Sequence, residues 1–338
     1  MLRYIIKRLL WMIPVILGVL LIAFALSDIA PGDPVAQIVG EDASPEVKEA
    51  KREELGLNDP FIVRYGRYVL GIVTRGDMGT SYRTGQPVAT EVLSRFPTTF
   101  KLTILAVAVA LVIGIPLGVV AATKQNSVID NITMVFSLFG VSVPQFWFAL
   151  MLELIFAVNL SWLPTRVDVS WLGWIMPVAM VGISNVGMIA RTTRSSMLEV
   201  IRQDYIRTAR AKGQKEGKVI FAHALRNSLI PVAATLGNTM ASSLGGSIIA
   251  ESIFSINGVG RYMLDAINAR NWPAVEGGLL FLAIVFSFVM LFIDLLYTVI
   301  DPRLKDEFNA KNKMAANRRA LKRQAAAAAK GGVAVKEA

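Results

Sequence analysis

Five stretches of this chain run for about twenty residues each with one charge among them all: Leu9–Ser27, Leu102–Ala122, Trp174–Ala190, Leu229–Ala250 and Gly278–Ile300, where the exception is Asp294. Roughly 20 apolar residues is the length that crosses a hydrocarbon core. Inside lipid each backbone amide must find its partner within the segment, so such stretches can only be helices. Hydrophobic residues make up 54% of the chain and charged ones only 18%, against about 25% charged in a soluble domain. A bilayer is the natural solvent for this composition, and the fold class expected is an all-α membrane protein.

Residues 131–160 are apolar but too long for one straight span, with Pro144 near the middle. Proline breaks the hydrogen-bond ladder, so one kinked, tilted helix is expected, with two short half-spans as the alternative. Six transmembrane helices place both termini on one side. On that side the segments carry 23 basic and eight acidic residues, and the opposite loops carry twelve basic and fifteen acidic. The excess of Lys and Arg marks the cytoplasmic face, so both termini are expected there. Met1–Ser27 also resembles a secretory signal, with Ala23-Phe-Ala25 as a cleavage site, but its apolar run exceeds the usual signal length. An uncleaved first span is the reading adopted.

These assignments divide the chain into an N-terminal span (1–28), an extracytoplasmic loop (29–98), a five-helix core (99–305) containing a cytoplasmic loop (199–228), and a cytoplasmic tail (306–338). Ser44-Pro45 reads as helix cap and first helical residue and Leu55-Gly56-Leu57 as a stop, predicting a helix near 45–55. The glycines of Tyr65-Gly-Arg-Tyr68 and Gly76-Asp-Met-Gly79 predict turns. A patterned loop this long is functional, as a cap over a pore, a dock for a delivery protein, or both. The Ala- and Lys-rich tail reads as a solvated segment, with contact to anionic lipid through Arg318, Arg319, Lys322 and Arg323 as the alternative.

Catalytic inventories come up short. Cysteine is absent and His223 is the one histidine, which excludes thiolate chemistry and His-rich metal sites. Gly213-Gln-Lys-Glu-Gly217-Lys218-Val219 lacks the spacing and the Ser/Thr of a phosphate-binding loop. The +10 formal charge is divided by spans, so it follows topology rather than nucleic acid. Two intramembrane acids, Glu153 and Asp294, raise the alternative of a proton-coupled secondary transporter. Ser184, Asn185, Asn238, Ser242, Ser243 and Ser247, with the glycines among them, must sit at helix contacts or on a wet path. As a set they suggest a translocation path. Gly114-Ile-Pro-Leu-Gly118 is a small-xxx-small pattern that fits packing or pore lining.

Between the fourth and fifth of the six expected spans lies Asp204-Tyr-Ile-Arg-Thr-Ala-Arg-Ala-Lys-Gly213, followed by His223-Ala-Leu-Arg-Asn-Ser-Leu-Ile-Pro231. Asp204 is expected to cap a short helix over residues 205–212, with Arg210 and Lys212 at the favourable end of its dipole. Gly213 suits the left-handed position that ends it. Eight residues span about 12 Å and are unstable alone in water, so the helix needs a docking surface. Ala209 is small enough for a groove to close around it. A second helix over about 215–228 returns the chain to the membrane.

This segment resembles the EAA loop of ATP-binding-cassette (ABC) importer permeases. The chain is similar, nearly end to end, to B-type permeases of dipeptide/oligopeptide/nickel importers. Supporting segments include Pro31-Gly-Asp-Pro34, Glu54-Leu-Gly-Leu57, Arg64-Tyr65, Gly76-Asp-Met-Gly79-Thr-Ser81 and Arg95-Phe-Pro97. Others are Arg194-Ser-Ser-Met-Leu-Glu199, Glu251-Ser-Ile-Phe254, Gly258-Val-Gly-Arg261 and Asp294-Leu-Leu-Tyr297 with Asp301-Pro-Arg303. Arg207-Thr-Ala209 stands where the general pattern has Glu-Ala-Ala, and Asn257 and Asn271 stand where proline and aspartate are usual. The resemblance implies the type I ABC importer permease fold, with a structured extracytoplasmic loop after helix 1, in a bacterial or archaeal plasma membrane. It also implies a C-type permease partner, two ATPase subunits that carry the ATP and Mg, and an extracytoplasmic solute-binding protein, with lipid around and no nucleic acid. On the same ground Asp204, Tyr205, Ile206, Arg207, Ala209, Arg210, Lys212 and Gly213 form a coupling helix that seats in an ATPase groove. No catalytic residue and no cofactor belong to the chain itself.

Overall fold

The computed structural model describes residues 2–300. Among these the regular structure is helical, apart from one isolated bridge between Thr80 and Pro87. Helix α1 (Leu2–Ile29) leads to α2 (Pro34–Val39), α3 (Pro45–Glu54), α4 (Phe61–Arg75) and the 36-residue α5 (Val88–Thr123). Next come α6 (Val128–Ser142), α7 (Gln145–Leu152), α8 (Ile175–Ile201), the short α9 (Asp204–Ala211) and α10 (Glu216–Lys218). The series ends with α11 (Arg226–Ile253), α12 (Val259–Asn268) and α13 (Trp272–Ile300). The last described residues, from Phe292 to Ile300, belong to a second unit. The expected tail contacts and the Asp301-Pro-Arg303 segment lie outside the described residues.

Five helical stretches are long and apolar enough to cross a membrane, and a sixth arises if α6 and α7 count together. They meet at 103°, so the expected single kinked helix gives way to a break. Val143, which precedes Pro144, is extended with ψ 129°, as steric conflict with the proline ring demands. The continuous helices also run well past the apolar runs. The run from Leu102 begins fourteen residues into α5, because Val88 and Val92 are buried against Val259, Met263, Ala266 and Ala274 at one end of the bundle. Tertiary burial holds this polar first part of the helix, where lipid does not.

Helix α8 is the hub. A Cβ at Gly118 of α5 would come 2.6 Å from the Ala190 carbonyl, and one at Gly187 of α8 would come 2.6 Å from that of Ser137 on α6. Backbones this close need glycine. Gly114 and Gly118 both face α8, so the small-xxx-small pattern is a packing seam. Midway, Leu102 and Ala106 of α5, Met176 and Met180 of α8 and Ala250 of α11 form a shared apolar cluster.

The loop helix near 45–55 is present as α3. Ser44 Oγ accepts from Val47 N, and Gly56 takes φ +63° beyond the helix end. The turn expected at Tyr65-Gly-Arg-Tyr68 is absent. Those residues lie inside α4, and the left-handed break comes at Gly76, φ +65°. Gly66 is tolerated because the residues around it are amphipathic at helical period.

Candidate functional site

Helix α9 follows α8 after a turn and stands at the bundle end opposite the Val88–Val92 contact. Asp204 is its first residue and does not cap it; the capping position is Gln203, without a side-chain bond to the helix. The Asp204 carboxylate instead lies 3.7 Å from Arg207 Nη1, both largely exposed, still at the dipole end that favours an anion. Gly213 has φ +72°, and Gln214 N donates to Ala209 O at 3.4 Å. These are the left-handed residue and the back-bond expected of a helix stop.

Where Ala209 points is the main correction. Ile206 and Ala209 are buried against Met197 of α8, Val119 and Ala122 of α5, and Val219, Ile220 and Ala224 of the returning helix. The docking surface that stabilises this short helix is therefore the chain's own core, and Ala209 is small because α9 sits close to it. Arg210 forks onto Glu216, with Nε 3.1 Å and Nη2 2.7 Å from its two carboxylate oxygens. Tyr205 Oη accepts from Asn227 Nδ2 at 3.0 Å, and His223 Nε2 lies 2.7 Å from Gln214 Oε1. Opposite the buried pair, Asp204, Arg207, Thr208 and Ala211 are exposed along one face, with Lys212 and Gly213 at its end. Thr208 and Ala211 were not singled out from the sequence, since the loop's period alone does not say which side is covered. The returning helix does not stop near Ser228. It continues through a π segment (Val219–Leu225) into α11.

The six polar residues expected on a translocation path divide. Asn185, Ser243 and Ser247 are buried, whereas Asn238 and Ser242 are exposed and Ser184 is half-buried. Asn185 Nδ2 donates to Ser243 Oγ at 2.9 Å, and Ser242 Oγ donates to Asn185 Oδ1 at 2.7 Å. Asn185 and Ser243 thus form a hydrogen-bonded seam between α8 and α11, while Ser247 Oγ donates within α11 to Leu244 O at 2.7 Å.

Several further polar clusters escaped the sequence reading because their partners are far apart in the chain. Glu251 is fully buried and accepts from Thr99 Oγ1 at 2.6 Å and from Arg261 N at 2.9 Å. Thr99 Oγ1 in turn accepts from Val259 N at 2.9 Å. The N-cap of α12 is Gly258, which has no side chain to cap with, so Glu251 and Thr99 cap the helix from other elements. A Cβ on Gly258 would collide with the Glu251 carboxyl, which is the physical reason glycine stands there. Asp130 is buried and takes a two-point contact from Arg194, Nε at 2.5 Å and Nη2 at 2.7 Å, plus Asn126 N at 3.0 Å. This joins α6 to α8. At the opposite end Asp33 accepts from Val35 N and from Arg52 Nη2 at 2.6 Å. Burial pushes the Asp33 carboxyl up, but Arg52 and the Val35 amide outweigh it and hold it below the usual range. Asn271 bonds Tyr82 N at 2.9 Å and Ser81 Oγ at 2.8 Å, so the amide that replaces the expected aspartate uses both its acceptor and its donor. No cluster of His, Cys, Asp and Glu suited to a metal occurs among the described residues.

The family model described as binding-protein-dependent transport system inner membrane component matches residues 114–306, and its N-terminal companion matches residues 1–103. The chain belongs to this family. The dipeptide transport system permease protein DppB of Alkalihalophilus pseudofirmus is 43% identical over 333 residues, covering 90% of this chain and 100% of that one. The glutathione transport system permease protein GsiC of Pectobacterium atrosepticum is 38% identical over 305 residues, covering 90% and 99%. In fold, the chain is similar to the MetNI methionine ABC transporter in an inward-facing form. The TM-score is 0.50 at 19% identity, with 62% of this chain and 96% of that one covered. The protein is thus the non-catalytic membrane subunit of an ATP-driven importer, with ATP hydrolysis on a separate subunit. That assignment decides against the proton-coupled transporter.

Proposed function

We propose that this permease admits peptides, and that α9 is the element through which its ATPase drives it. The relatives named for dipeptide and glutathione transport support the cargo class. The observation that carries the coupling role is the two-sided build of α9. Ile206 and Ala209 lock it to α5, α8 and the returning helix, while Asp204, Arg207, Thr208 and Ala211 face outward. A force applied to the outward face passes directly into the helices that bound the α8–α11 seam. Within this reading, a second permease subunit, two ATPase subunits and an extracytoplasmic binding protein complete the importer. Ser184, Asn238 and Ser242, which are not buried, border the cargo path. The test is binding-protein-stimulated ATP hydrolysis in complexes reconstituted into vesicles. Arg207→Glu with Ala211→Glu leaves the buried face untouched and should lower stimulation at least about tenfold, the penalty of like charges set against a complementary surface. Unchanged stimulation overturns the coupling role.

The side on which α9 lies follows from the basic excess around it. The chain has no cysteine, so a Lys212→Cys variant gives a clean label. It should stay unreactive toward an impermeant maleimide in intact cells and react after lysis. Labelling from outside would invert the topology.

Glu153 and Asp294 supply a further check. Uptake by a Glu153→Gln, Asp294→Asn variant should remain dependent on ATP and keep the same order of magnitude, since relays need facing acids or histidines. Transport that instead follows the proton gradient contradicts the importer mechanism.

A further inference from the structure

The segment between α1 and α5 contains a helix whose two faces demand different surroundings. On α4, Arg64, Arg67, Tyr68, Gly71 and Arg75 line a cavity of about 680 Å³. Their spacing of three, four, seven and eleven residues puts them on one face. Arg64 pairs with Asp28 at the end of α1, and Arg67 with Asp59. The opposite face carries Ile62, Val63, Leu70 and Val73, exposed at 67%, 45%, 63% and 77%. Four aliphatic side chains on one helix face would form a continuous apolar strip if left in water.

A third contact sets the height of this helix. Tyr65, on the flank of α4, donates its hydroxyl to the carbonyl of Leu17 at 2.9 Å. Its ring lies 5.7 Å from that of Phe24, edge to face, and Tyr68 lies 5.1 Å from the same ring. Leu17 is mid-way along the spanning stretch Ile5–Ile29, about 18 Å of helix below its end at 1.5 Å per residue. That is beyond the headgroup layer and near the middle of a hydrocarbon core about 30 Å thick. The first turns of α4 therefore lie below the membrane surface. At the same height α1 exposes Leu21, Ile22 and Leu26, which gives the α4 strip a lipid-facing neighbour.

We infer that α4 is an amphipathic helix embedded in the leaflet on the 29–98 side, with Ile62, Val63, Leu70 and Val73 against lipid acyl chains. Its guanidinium face closes a wet cavity above them. The segment expected to be wholly outside the bilayer is thus partly inside it. Arginines on the cavity face keep their charge in water while the helix stem rests in lipid, the arrangement that interfacial helices adopt. Lipid is the occupant favoured because the strip is aliphatic and continuous in depth with α1, whereas a soluble partner could not reach the level of Leu17.

The absence of native cysteine allows a direct depth measurement. Bimane is attached at Leu70→Cys, Val73→Cys or, as a water-facing control on α3, Glu53→Cys, in the assembled complex held in nanodiscs. Lipids brominated on their acyl chains should remove roughly half or more of the emission at positions 70 and 73 and little at 53, as expected of side chains immersed in the acyl region. Aqueous iodide should do the reverse. Quenching of 70 and 73 by iodide to the extent seen at 53 would place the strip in water. If neither quencher reaches them, a protein partner covers the face. Either result overturns the assignment to lipid.

Discussion

An Ala209→Arg variant should enter the membrane at normal levels yet lose nearly all binding-protein-stimulated ATP hydrolysis and uptake. Ala209 is 8% exposed and packs with Ile206 on α5, α8 and the returning helix. A guanidinium there has no acid within the cluster to pair with, and burying an unpaired charge costs several kcal/mol. An eight-residue helix has no comparable stability of its own, so α9 leaves its seat instead of the bundle opening. The substitution thus acts on the inner side of the helix, where an alanine seated in an ATPase groove would have acted on the outer side. The two are separable by the protein's own behaviour. Limited proteolysis of the free permease should cut near Lys212 much faster in Ala209→Arg, and should be unchanged in Arg207→Glu. Equal protection in both would mean that α9 is held by something other than Ile206 and Ala209.

The second large effect is expected at Glu251. Replacing it by leucine removes the acceptor for Thr99 Oγ1 and Arg261 N and strands those donors in a dry interior, at about 1–3 kcal/mol for each. The purified subunit should lose on the order of 3–5 kcal/mol, read as a fall of several degrees in the midpoint of detergent-solubilised unfolding. Glu251→Gln keeps the shape and one carbonyl acceptor and should lose less than half of that. Gly258→Ala should resemble Glu251→Leu, because the added methyl occupies the space of the carboxyl. If Glu251→Gln is as damaging as Glu251→Leu, charge rather than acceptor geometry holds the α12 cap.

Much of the architecture was legible without coordinates, because lipid imposes a length and a composition that a linear chain displays directly. The five apolar runs, the Ser44–Pro45 helix start, the Gly213 stop and the short helix before it all depend on neighbours within a few residues. Family membership was legible for a related reason: Pro31-Gly-Asp-Pro34, Arg194 to Glu199 and Gly258 to Arg261 are local strings, even though what each does is not local. Gly258 stands in sequence only as part of the string Gly258 to Arg261, and the fold alone shows that it makes room for the Glu251 carboxyl.

What the chain alone determined, then, is which segments are helices in a membrane, where the basic loop lies and that no catalytic inventory exists. These follow from hydropathy, charge and backbone preference, which act over one or two turns. Tertiary structure decided which face of each helix is covered. It turned Ala209 inward, drew Asn185 and Ser243 into a seam, joined Asp130 to Arg194 across 64 residues and brought Tyr65 to the carbonyl of Leu17. Those pairings depend on how α1, α4, α5, α6, α8 and α11 pack. A helix carries its period in sequence, but the side it presents to a neighbour, to water or to lipid is settled only when the neighbour arrives.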